Sequence, residues 1–266
     1  MFRHHGRTRT SSHNKKIASL LSFVAGIVNV VGFLAVQRLT TNVTGHFAFF
    51  IDEVFKLHFR KSFVYFLYIL FFFLGSFISS LLIEIMTLKN ERFTFVIPIL
   101  LESMILVAVA FFGHLLLQDN ASIIAFSLLF AMGLQNSLVT RISNAIVRTT
   151  HLTGLFTDLG IELSQLFFYK QKEQQEKLLT TIKLRLRIIL FFFMGGLLGG
   201  ISFSRLGLHV LLVPASMLII GIYYDNLKFK LLNWKRSHDL KEQSSTNVLP
   251  SSTSSHDTPA PYLPPK

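Results

Sequence analysis

The chain has no cysteine among its 266 residues and only one tryptophan. The first absence removes disulfides, thiolate metal sites and a cysteine nucleophile. Acidic residues are also scarce, with 14 Asp and Glu against 26 Lys and Arg, a formal net charge of +12. An excess of that size would suit a nucleic-acid binder, but the basic residues stand at the ends of hydrophobic segments rather than on a separate hydrophilic domain. The positive-inside rule accounts for them, and nucleic acid is not an expected partner. Missing too are an HExxH motif, pairs of His at ligand spacing within one hydrophobic run, and a Ser-His-Asp pattern. No catalytic residue, metal site or cofactor is therefore expected, and the chain does not read as an enzyme. The remaining route to redox chemistry is a haem bracketed by His114 and His209, both near one membrane surface.

What is present is apolar. With 51% hydrophobic residues, 28 Phe and a mean hydropathy of +0.51, the chain carries more apolar side chain than a soluble core of this size can hide. A bilayer core of about 30 Å needs roughly 20 apolar residues as a helix. Six runs qualify, near Ile17 to Val36, Phe63 to Ile85, Phe93 to Leu116, Ser122 to Thr140, Ile188 to Ser204 and Leu208 to Tyr224. None alternates as a barrel strand would. The first is long and lacks a convincing small-x-small cleavage site, so it reads as retained.

Basic residues before the first span, at Lys89 and Arg92, across a long loop from Arg141 to Arg187, and after the last span place those segments and both termini in the cytoplasm. The expected location is a bacterial inner membrane. Four segments follow: a basic N-terminus (1–16), three spans in 17–117, three more in 118–228, and a Ser/Thr/Pro-rich disordered tail (229–266).

The two sets of spans resemble one another. Phe71-Phe72-Phe73-Leu74-Gly75-Ser76 and Phe191-Phe192-Phe193-Met194-Gly195-Gly196 share a triple Phe followed by small residues. Each is preceded by a polar element, Asn42-Val43-Thr44-Gly45-His46-Phe47 in one half and His151-Leu152-Thr153-Gly154-Leu155-Phe156 in the other. Three spans per copy is an odd number, so the second copy enters the membrane from the opposite side. The expected fold is all-α, six transmembrane helices arranged as two inverted three-helix repeats. Small residues at Gly75/Ser79 and Gly195/Gly199 would let those helices cross each other or a second copy of the chain, or simply pack tightly in the bundle.

The polar residues inside the spans are the candidate site. Asn29 lies on a small and polar stripe with Ala18, Ser22, Ala25 and Gly32; its amide needs hydrogen-bond partners in hydrocarbon, either as interhelical glue or for a ligand. Gln135 and Asn136 lie within the fourth span, and beyond them Ser137, Arg141, Asn144 and Arg148 recur on one helical face. Thr44-Gly45 and Thr153-Gly154 mark either breaks in helices, as in transport sites, or plain loop-to-helix junctions at the surface. Glu102 lies about ten residues into the third span, where an ionisable group costs roughly 2.5 to 3.5 kcal/mol on insertion scales. It reads as a proton-relay or coupling carboxylate, or as a neutral acid bonded to Asn29, Gln135 or Asn136.

At Ala25-Gly26-Ile27-Val28-Asn29, Val43-Thr44-Gly45, Gly133-Leu134-Gln135-Asn136-Ser137 and Thr149-Thr150-His151-Leu152-Thr153-Gly154, the chain resembles the YoaK-like family of six-span bacterial membrane proteins. That family usually has Asp where this chain has Asn29, and Asn where it has His46. The resemblance implies no established activity.

The function read from these residues is a small transporter or permease, with Asn29, Thr44, Gly45, Gln135, Asn136, Thr153 and Gly154 lining a site between the halves and Glu102 coupling it. The competing reading is a non-transporting membrane scaffold or accessory subunit. Expected partners are the lipid bilayer, a small molecule or ion, and a second copy of the chain.

Overall fold

The computed structural model describes residues 11–89 and 94–224. The predicted tail, 229–266, and most of the basic N-terminus lie outside the described residues. Of the two units into which the chain divides, 1–225 and 226–266, only the first is described.

All regular structure among the described residues is helical: α1 (Ser11–Val36), α2 (Val43–Phe55), α3 (Phe59–Lys89), α4 (Val96–Asp119), α5 (Ala121–Ser143), α6 (Leu152–Gln165) and α7 (Lys172–Leu206). A 3₁₀ turn at Gly207–Leu211 follows, and residues 212–224 are helical again (α8). Five runs are long and apolar enough to cross a membrane, in α1, α3, α4, α5 and the stretch Lys172–Tyr224. The fifth is 53 residues long, which as a continuous helix would extend about 80 Å. It is broken at Gly207, whose positive φ of 53° few other residues adopt without strain. Pro214, in the first turn of α8, suits a helix that begins there.

The expected basic loop from Arg141 to Arg187 is mostly helix, which corrects the sequence reading. It contains α6 and the first half of α7. Charged residues in Lys172–Arg187 hide that half from a hydropathy pattern. At 35 residues, about 52 Å, α7 is far longer than a hydrocarbon core is thick, so this charged portion projects beyond it.

The centre of the bundle is α1 and α5, each 61% buried over its most apolar window against 22% for α3. Their inward positions, Ile17, Leu21, Val24 and Val28 on α1 and Leu128, Met132, Leu138 and Ile142 on α5, join Ile99 and Leu106 of α4 and Leu211 and Leu218 in one core. α1 and α5 are antiparallel, Leu21 lying beside Gln135 and Gly32 beside Leu128.

Each central helix has a long partner from the other half. Along α1, Phe23, Ile27 and Val30 meet Gly195, Gly199 and Gly200 of α7 in that order, so α1 and α7 are parallel. Along α3, Tyr68, Ser76 and Glu84 meet Ser122, Gly133 and Arg141 of α5 in order, so these two are parallel as well.

Backbone contact at glycine holds both pairs. A Cβ at Gly26 would strike the Phe192 carbonyl oxygen, and one at Gly195 that of Phe23; likewise Gly133 faces Phe72 and Gly75 faces Phe130. Lipid supplies no hydrophobic drive for helices to associate, so close approach, with its dispersion and Cα–H···O contacts, is the main source of affinity. The small residues of α3 and α7 therefore pack on α5 and α1 rather than on each other. At one end of the α3/α5 pair Arg141 is ion-paired with Glu84, an exposed pair worth at most about 1 kcal/mol.

Candidate functional site

The polar residues of α1 and α5 are engaged by two chain reversals. α1 ends where Gln37 takes a left-handed conformation (φ 52°), and the chain folds back along the helix it has just left. The Thr40 hydroxyl donates to the Val28 carbonyl (3.3 Å) and the Thr41 hydroxyl to Asn29 Oδ1 (2.8 Å). α2 therefore starts at the depth of Asn29, seven residues or about 10 Å inside the end of α1. Asn42 caps it, its Oδ1 accepting from Gly45 N–H (3.0 Å).

The second reversal has the same parts. α5 ends at Asn144 and Ala145, both left-handed (φ 51° and 61°). Ser143 Oγ, accepting from Val147 N–H (3.0 Å), pins the turn. The Thr150 hydroxyl then donates to Asn136 Oδ1 (2.6 Å), and α6 begins two residues later. Asn136 lies 107 positions after Asn29 and Asn144 as many after Gln37; Thr150 and Gly154 lie 109 after Thr41 and Gly45. The Thr-Gly elements are thus helix starts within the depth of α1 and α5. Because α5 ends at this turn, Arg148 does not continue the helical face of Ser137 and Arg141.

The predicted residues gather into two clusters, not one site between the halves. Asn29 is bonded to Thr41 and Asn136 to Thr150, with Gly45 and Gly154 each four residues beyond the threonine. Since α1 and α5 are antiparallel and Leu21 is level with Gln135, the two amides are offset by about eight residues of helix, on the order of 12 Å. Gln135 directly precedes Asn136 and is level with Leu21 of α1. Its amide donates to the Leu21 carbonyl (2.6 Å), while Oε1, fully buried, accepts no hydrogen bond from the described residues. The Thr44 and Thr153 side chains are exposed.

Glu102 belongs to neither cluster. It is fully buried on the inner face of α4 with Ile99, Ser103 and Leu106, and neither carboxyl oxygen has a hydrogen-bond partner among the described residues. The bond to Asn29, Gln135 or Asn136 that the alternative, structural reading of Glu102 required is not made.

Two further groups of residues escaped sequence reading. Thr41 and Thr150 are the second residues of the doublets Thr40-Thr41 and Thr149-Thr150, equally spaced from the two Thr-Gly elements, and that spacing was the available signal. The other group lies between the short helices and their neighbours. His46 of α2 is buried against Tyr68 (ring centroids 5.0 Å apart), with Phe49 stacked on Tyr65 (5.4 Å). The equivalent positions of α6 and α7 are Leu155, Ile188, Asp158 and Arg185. There Arg185 forks to Asp158 (2.8 Å) and Glu162 (2.9 Å), and a cavity of about 460 Å³ opens beside it.

His46 Nε2 donates to the Leu39 carbonyl (2.7 Å), tying α2 to the reversal that precedes it. Burial holds this imidazole below its usual 6.5; the Leu39 bond opposes that shift and the Arg38 charge adds to it. A group whose pKa is depressed on folding gives stability that is full above the unfolded value and lost as pH falls through the folded one. The detergent-solubilised protein is therefore expected to lose melting temperature as pH drops below 6.5. His46→Gln, which keeps an amide donor but does not titrate, should flatten that slope; an unchanged slope would assign it to other groups.

His114 and His209 are both exposed, and His209 packs edge-on to Phe111 (6.1 Å). Among the described residues no three His, Asp or Glu side chains gather as a metal-ligand set.

Comparison with curated proteins and with solved structures finds no match to this chain. A family match covers residues 17–224, a span that holds most of α1, α2 through α8, both chain reversals and every candidate site residue. The chain belongs to the family described as "Protein of unknown function (DUF1275)".

Proposed function

We propose that this protein is a small permease of the bacterial inner membrane, six spans in two inverted repeats (17–117 and 118–228), that moves a small polar solute or ion past the Asn29 and Asn136 clusters. The observation that carries the reading is the pair of equivalent chain reversals, each starting a short helix beside a Thr-bonded Asn seven residues inside the end of the preceding long helix. Broken helices at matching positions of two halves are the usual mark of a transport path, because they bring main-chain dipoles to a depth that unbroken helices seal.

Inversion is supported by helix direction. If α1 ascends and α2 does not cross, α3 descends and α4 ascends; α5 then descends, α7 ascends and α8 descends. That order makes α1 parallel to α7, in line with the glycine contacts, and α3 parallel to α5, in line with the hydrogen bonds along that pair. Dividing the 53-residue stretch at Gly207 supplies the sixth crossing. The positive-inside pattern then puts both termini in the cytoplasm. The YoaK-like resemblance fits the same reading.

The scaffold reading has its own support, since Thr41 and Thr150 already occupy one lone pair of each Asn side chain. The absence of cysteine allows a direct test. Single cysteines at Asn29, Thr44, Asn136 and Thr153 would be treated with a membrane-impermeant thiol reagent in intact cells and in inverted vesicles. A water-filled path between inverted halves predicts labelling of the first pair from outside and the second from inside. If Asn29→Cys and Asn136→Cys stay unreactive from both sides in protein that assembles normally, the permease reading is wrong.

A further inference from the structure

Three side-chain oxygens at the second chain reversal are fully buried and bonded to no described residue: Ser22 Oγ on α1, Gln135 Oε1 on α5 and Thr149 Oγ1 in the turn itself. Two hydrogen bonds draw their segments together. Gln135 donates its amide to the carbonyl of Leu21, the residue before Ser22 (2.6 Å). Asn136, the residue after Gln135, accepts from Thr150, the residue after Thr149 (2.6 Å). Each of the three oxygens thus belongs to a residue that makes, or directly adjoins one that makes, a bond tying its segment to α5.

The first reversal lacks this set. The position 107 after Ser22 is Leu129, and the position 107 before Gln135 is Val28. Thr40, 109 before Thr149, spends its hydroxyl on the Val28 carbonyl (3.3 Å). The polar set therefore belongs to the second half and not to the repeat. Its chemistry selects an occupant. The Gln135 amide nitrogen is committed to Leu21, so its oxygen can only accept, and a partner for it must carry an N–H or O–H. The Ser22 and Thr149 hydroxyls can donate or accept as that partner requires. No charged side chain belongs to the set, so an ion would be buried there without compensation, while an apolar molecule would leave all three oxygens unbonded.

We propose that Ser22, Gln135 and Thr149 form a binding site for a small uncharged molecule bearing N–H or O–H groups, of the size of water or urea, and that the first reversal holds no such site. The proposal rests on the permease reading and narrows its solute to an uncharged one, bound next to Asn136. A molecule of that size can meet all three oxygens at once, as a buried water typically does with about three polar partners.

The test is solute entry into liposomes reconstituted with the full-length protein, followed by stopped-flow light scattering. The probes are water, urea and guanidinium, the last nearly urea's shape but charged. Entry of urea, or of water alone if the space takes a single heavy atom, should exceed that of protein-free liposomes, and guanidinium should not enter. Gln135→Leu and Thr149→Val should each slow entry roughly tenfold, and Thr149→Ser should restore it. Ser79→Ala, which removes another buried, unbonded hydroxyl but on α3, should leave entry unchanged and controls for loosened packing. Thr149→Val keeps the side-chain shape, and unchanged elution and melting would show that the fold is intact. Entry of guanidinium as fast as urea, insensitivity to both Gln135→Leu and Thr149→Val, or entry of neither water nor urea above the protein-free rate would each overturn the proposal. In the last case, labelling of Asn136→Cys from inside would mean a path for another class of solute, and an unreactive Asn136→Cys would remove the permease reading as well.

Discussion

Alanine at Gly133 is expected to cost about 2–3 kcal/mol of stability, seen as a lower melting temperature in detergent and as protein lost to aggregation on purification. The added methyl would meet the Phe72 carbonyl oxygen and lie 3.0 Å from Ser76 N, and both are backbone atoms of a helix that cannot yield as a side chain can. α3 and α5 would have to separate. That separation would break the Ser76 hydroxyl bond to the Gly133 carbonyl (3.1 Å) and weaken dispersion along the whole seam. Gly75, whose Cβ would meet the Phe130 carbonyl oxygen, should respond alike, and so should Gly26 and Gly195 on the α1/α7 seam.

Alanines at Gly133 and Gly75 together should cost less than their sum, because the first already opens the seam they share. Alanines at Gly133 and Gly26, on separate seams, should add. Gly160 is the control: it is helical in α6 with nothing within 4 Å of an added Cβ, so Gly160→Ala should be neutral or stabilising by up to about 1 kcal/mol. A Gly133→Ala protein that melts with the wild type would mean that the two backbones are not in contact.

The small residues behind this prediction were visible in the sequence, but their partners were not. Spacing within α3 and α7 tells which residues share a face, while the partner of that face depends on chain direction and on which helices lie at the centre. The apolar runs were equally plain where the helix stays in hydrocarbon. α7 defeated that signal because its first half carries Lys, Arg and Glu on a helix that continues into an apolar run.

Much of the candidate site was legible as residue types: Asn29, Asn136, and a Thr-Gly element in each half. Its geometry was not. The depth at which α2 and α6 begin is set by hydrogen bonds that reach back 12 and 14 residues, across turns made by left-handed Gln37, Asn144 and Ala145. Neither Gln nor Ala announces such a turn as glycine would.

Glu102→Met is expected to raise the melting temperature by the equivalent of about 1–3 kcal/mol. The carboxyl is fully buried among Ile99, Ser103 and Leu106 with neither oxygen bonded to any described residue, so the protein groups around it do not compensate its desolvation. Met has nearly the same length and volume and no polar atom, so it removes that cost without opening a cavity. Glu102→Gln should not stabilise, since it keeps an unpartnered polar group in the same place, and Glu102→Ala should lose through a cavity what it gains in desolvation. The permease reading proposed above would give this carboxyl, two turns into α4, the role of coupling. Met and Gln variants should then both abolish proton-linked activity while diverging in stability. If Met instead lowers the melting temperature by several kcal/mol equivalents, the carboxyl is bonded in the native protein and serves as a structural joint.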